Sequence, residues 1–71
     1  MSWSVSVYSS IVSEVGWDSD TNEILVTWVR SGKRSAYAGA DEAKALELSK
    51  APSVGQMIHS EIKPFYSHRY V

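Results

Sequence analysis

The side chains of this sequence best suited to moving protons near neutral pH are its two histidines, His59 and His68. A hydrolytic triad would set one of them between a serine and an acid. Thirteen serines make a chance match uninformative, and no Gly-x-Ser-x-Gly elbow occurs. His59, His68 and Glu61 lack the spacing of a recognised metal site. With no cysteine, the chain has no thiolate nucleophile, zinc thiolate or disulfide framework. The expectation is a non-enzymatic protein without a cofactor or metal.

Anion binding has better support. Ser53-Val54-Gly55 falls at a predicted helix start, where backbone N–H groups attract negative charge and a glycine permits close approach. Arg30, Lys33 and Arg34 cluster around a predicted hairpin, and Lys63 and Arg69 follow the helix. These five would neutralise phosphate, while Tyr37 and Tyr66 would stack on bases. Net charge is -1 but uneven. Residues 1–29 carry -4 and residues 30–71 carry +3. That balance argues against a wide nucleic-acid-coating surface and favours a nucleotide or short nucleic acid. No P-loop or RNA-recognition motif is present.

The alternative is a protein-binding adaptor or inhibitor. Three tryptophans and four tyrosines in 71 residues exceed what a small core readily hides. Exposed Trp3 or Trp28 would favour self-association or a protein partner, and the N-terminal strand could pair with a neighbouring chain. A homo-oligomer is expected on either reading. Salt-sensitive binding lost on reversing Lys63 or Arg69 would mark the anion site. Salt-insensitive binding lost in Trp3→Ala or Trp28→Ala would mark the adaptor.

The elements that must position these groups are legible in the hydropathy pattern. Residues 2–8 alternate with period two, placing Trp3, Val5 and Val7 on one face of a strand. Residues 11–17 predict a second strand, with Gly16 marking a bulge or a close backbone approach. Asp and Asn in residues 18–22 predict a turn. Residues 23–30 are β-branched and aromatic on both faces, which predicts a central strand. Ser31-Gly32 predicts a hairpin turn, and residues 33–38 return as its partner. Residues 40–50 are rich in helix formers, with Ala45, Leu46 and Leu48 as the apolar contacts. Pro52 stops that helix, Ser53 caps the next, and Val54, Met57, Ile58 and Ile62 form its inward face to about residue 62. Pro64 ends it, leaving an aromatic, basic tail as a docking segment. The fold class is α+β: an antiparallel meander of three or four strands followed by two C-terminal helices packed on one face, in a single domain over 1–71.

Taken in order, several residues resemble the KTSC domain, a small family named for the C-terminus of some lysyl-tRNA synthetases and found alone in bacteria and phages. They are Ser10-Ile11, Val15-Gly16-Trp17-Asp18, Leu25-Val26-x-Trp28, Gly32, Tyr37, Ala51-x-Ser53-x-Gly55, Ile62-Lys63-x-x-Tyr66 and Arg69. The likeness runs from about Tyr8 to Val71. Ser35 stands where the family usually starts a Tyr-x-Tyr pair, Gly39-Ala40 replaces Val-Pro, and Met57-Ile58-His59 replaces an aromatic-Phe-Asn stretch. The resemblance implies a β-meander packed by two helices. It also suggests a phage-type protein that sequesters a ligand or blocks a host protein. No apolar run approaches the ~20 residues of a membrane span, and no signal peptide is evident, so a cytoplasmic protein without membrane contact is expected.

Overall fold

The computed structural model describes residues 2–71. Five antiparallel strands form one sheet in chain order: β1 (Trp3–Ser6), β2 (Val12–Asp18), β3 (Glu23–Trp28), β4 (Arg34–Ala38) and β5 (Ser67–Tyr70). Between β4 and β5 come α1 (Glu42–Ser49) and α2 (Val54–Met57), and α2 continues as a π-helical turn, Ile58–Ile62. The α+β class therefore stands. Among the described residues the strands number five, not three or four, and the helices are followed by β5.

Register sets which side chains meet the helices. Trp3 pairs with Trp17, Trp17 with Ile24, and Ile24 with Tyr37, while Val15 pairs with Val26. Because side chains alternate across a strand, all of these share one face. All but the partly buried Trp3, which packs against them, form a single buried cluster with Ala45, Leu48, Val54, Met57, Ile58 and Ile62. β3 lies at the centre of the sheet, as its two apolar faces predicted. The register shift in β2 falls between Val12 and Glu14, not at Gly16. Gly16 instead permits a close approach: a Cβ there would fall 2.7 Å from the backbone oxygen of Trp3.

Asp41 caps α1 by accepting a 2.9 Å bond from the Lys44 backbone N–H. Ala45 and Leu48 are buried, but Leu46 is exposed, so the predicted apolar stripe is narrower by one residue. The inward face Val54, Met57, Ile58 and Ile62 is buried throughout. Ser53 occupies the cap position of α2 without a side-chain cap bond. Lys44 Nζ lies 3.1 Å from Glu61 and 3.6 Å from Glu47, tying α1 to the π turn. The indole N–H of Trp3 donates to Glu42 at 2.8 Å, tying β1 to α1.

The predicted docking tail is mostly β5. It pairs with β4 through Ser35–Tyr70, Ala36–Arg69, Tyr37–His68 and Ala38–Ser67. On the face away from the helices, Arg69 reaches across β4 to donate two hydrogen bonds, of 2.9 and 2.7 Å, to Glu23 on β3. The Glu23 side chain is 5% exposed. The Arg69 guanidinium holds its carboxyl below the ordinary carboxylate range, against the opposing effect of burial and with help from the Thr21 hydroxyl.

Candidate functional site

Where β5 completes the sheet, its helix-facing side chains form one wall of a cleft of about 440 Å³. Strand alternation puts Ser35 and Tyr37 of β4 beside Tyr70 and His68 of β5. Trp28 at the end of β3 adds a further wall, and Ile11 and Gly55 close one side. Opposite stand His59 and Lys63, carried on and just after the π turn. There the Lys63 backbone N–H donates to the Ile58 carbonyl at 2.7 Å, an i to i−5 bond. π-helical turns are uncommon and recur at functional sites.

The floor is a fixed polar relay. Ser35 is fully buried. Its hydroxyl oxygen accepts a 2.7 Å hydrogen bond from the Trp28 indole N–H and lies 2.8 Å from His68 Nε2. In neutral His68 protonated at Nδ1, the Ser35 hydroxyl donates to Nε2, so each of the three groups has a partner. Tyr37, His68 and Tyr70 make an aromatic ladder, with centroids 5.1 and 4.7 Å apart and the second contact T-shaped. Burial pushes the Tyr37 phenol above its ordinary value, and neighbouring Tyr70 adds to this. Lys33 Nζ lies 5.6 Å from the Tyr70 ring centroid, a cation–π contact on the rim.

Ser35 and His68 are at nucleophile–base distance, with Ser35 fully buried at the cleft floor. Among the described residues, His68 has no carboxylate hydrogen bond to orient it as a base. The relay ties the Trp28 and His68 rings to one buried oxygen. No group of three or more metal-ligating side chains occurs among the described residues.

The predicted site residues divide among several places. Tyr37, Gly55 and Lys63 line the cleft, and Lys33 stands at its rim. Arg30 lines an adjoining recess. Arg34 and Arg69 fall on the opposite face, since they lie one residue out of phase with Ser35 and with His68. Arg69 is also paired with Glu23. Ser53 lies outside the cleft, in grooves beside Pro52 and Gln56. Gly55 serves close packing: a Cβ there would fall 2.6 Å from Ile11 Cδ1. Tyr66 packs against the buried core. The tryptophans lie on the helix-facing side, with Trp17 buried and Trp3 and Trp28 partly so. The strongly exposed aromatics are Tyr8, Phe65 and Tyr70. Sequence reasoning missed Ser35, His59 and His68 as cleft residues, and it offered Tyr70 and the tryptophans only as stacking surfaces, outside the site it assigned. Period-two spacing of Ser35 with Tyr37, and of His68 with Tyr70, is the signal that could have found the strand-borne four-residue wall.

The fold and cleft define a small α+β domain: an antiparallel meander roofed on one face by helices, with an aromatic and basic recess at one end. The family model of the KTSC domain matches residues 8–66, and the chain belongs to that family. The matched span ends before β5, so His68 and Tyr70 lie beyond it. No curated protein matches the sequence. A crystal structure of a KTSC domain protein from Yersinia pestis has the same fold, with a TM-score of 0.85. It is 22% identical, and the alignment covers 100% of this chain and 99% of that one. Among the described residues, no helix is long and apolar enough to cross a membrane.

Proposed function

We propose that this domain is a non-enzymatic binding module that holds a nucleotide-like anion in the cleft between β3–β5 and the π turn. The observation that carries this reading is the placement of Lys63 opposite the Tyr37–His68–Tyr70 ladder. A base stacks on the ladder, and its phosphate meets Lys63 and His59. Among the described residues Lys63 has no ion pair, so its charge is available. At about 440 Å³ the cleft falls within the range of about 300–1,000 Å³ typical of small-molecule sites. The floor is satisfied internally by the Ser35 relay, so recognition rests on ring faces and charge, which favours tolerance of base identity.

The test is titration with adenosine 5′-monophosphate at low and high salt, by calorimetry and by tryptophan fluorescence. Binding should weaken with salt, and Lys63→Glu should reduce affinity roughly tenfold or more, the worth of one charged hydrogen bond. No binding at millimolar nucleotide, or binding unaffected by Lys63→Glu, would overturn the assignment.

A further inference from the structure

The cleft does not end at Trp28. A second recess, of about 490 Å³, lies next to it and is lined by Ser10, Ile11, Trp28, Arg30 and Ser31. Ile11 and Trp28 belong to both. The shared wall is held from within the fold. The Trp28 indole is fixed by its bond to Ser35, and the Ile11 carbonyl accepts a 3.0 Å bond from the Val29 N–H. Each compartment therefore has an aromatic surface and a cation: the ladder with Lys63 in one, and Trp28 with Arg30 in the other. Arg30 is exposed and has no ion pair among the described residues.

Building on the reading above, we infer that the ligand is a short single-stranded oligonucleotide of at least two nucleotides, its second base against Trp28 and its second phosphate on Arg30. Continuity of the two compartments across one wall favours a linked ligand over two separate mononucleotides. Stacking on these rings takes the faces of unstacked bases, which a duplex keeps hidden. Two cations on the track match two phosphates, and a net charge of -1 gives no broad positive surface for a long strand.

The experiment compares adenosine 5′-monophosphate, the dinucleotide pApA and a short DNA duplex on the intact protein and on Arg30→Glu. The dinucleotide should bind about tenfold or more tighter than the mononucleotide, from one added stack and one added phosphate contact. Its slope of log affinity against log salt should be steeper by roughly 0.7, the value for one more phosphate on a single strand. Arg30→Glu should bring the dinucleotide down to the mononucleotide's affinity and leave the mononucleotide within about twofold. Equal affinity for mono- and dinucleotide, equal weakening of both by Arg30→Glu, or duplex binding as tight as pApA would overturn the two-compartment inference while leaving the mononucleotide site standing. Failure of both nucleotides to bind would overturn both.

Discussion

Replacing Ser35 with alanine removes one oxygen and orphans two neighbours. Ser35 Oγ accepts from the Trp28 indole at 2.7 Å and lies 2.8 Å from His68 Nε2, and the residue is fully buried. A typical intramolecular hydrogen bond contributes about 1 kcal/mol net, and a donor left unsatisfied in the interior costs about 1–3 kcal/mol. Trp28 is only partly buried and borders the cleft, so water can replace part of the loss and the low end of that range applies. The expected destabilisation is about 2 kcal/mol for the two bonds together. For a domain of this size that lowers Tm by roughly 8–16 °C. The assay is urea and thermal unfolding of the wild type, Ser35→Ala, His68→Phe and the double variant. Because the Ser35–His68 bond can be lost only once, the double-mutant cycle should give a coupling of about 1 kcal/mol. A Ser35→Ala loss below about 0.5 kcal/mol, with no coupling to His68, would refute the relay as a stabilising and orienting device.

Two further predictions concern the sheet. Glu23 has a folded pKa depressed below its ordinary value of 4.5 by Arg69. Its contribution is complete above the unfolded value and is lost as pH falls through the folded one. The stability gap between wild type and Glu23→Gln should therefore narrow between pH 6 and pH 3 in urea titrations, and a gap independent of pH would refute the clasp. Gly16→Ala would place a methyl 2.7 Å from the Trp3 backbone oxygen. It should cost about 1–3 kcal/mol and raise amide exchange in β1 before the rest of the sheet, whereas an unchanged β1 exchange pattern would contradict the close approach.

Local chemistry made much of the fold legible. Period-two alternation located β1, β-branched and aromatic residues located β3, and the turn signals at residues 18–22 and 31–32 set β2 and β4 beside it. Helix formers between Gly39 and Pro52 located α1, and Val54, Met57, Ile58 and Ile62 gave the inward face of the next segment. The last strand was harder to read. Ser67-His68-Arg69-Tyr70 has little apolar character, and its place in the sheet depends on long-range pairing with Ser35–Ala38, across both helical segments. The π turn was likewise hidden, since α- and π-helical turns present nearly the same hydrophobic face in sequence.

The candidate site shows the same division. The sequence put the excess of base in the C-terminal half and offered Arg30, Lys33, Arg34, Lys63 and Arg69 for phosphate, Tyr37 and Tyr66 for stacking, and the Ser53–Gly55 helix start. Only the tertiary structure decided which of those charges share a surface. Strand phase sent Arg34 and Arg69 to the far face, and a buried carboxylate on β3 then captured Arg69. The same phase brought His68 and Tyr70 beside Tyr37, over a serine whose hydroxyl fixes Trp28. Sequence fixes side-chain type and local period, but long-range pairing register decides which periods align. That register placed Lys63, Trp28 and the aromatic ladder around one cleft.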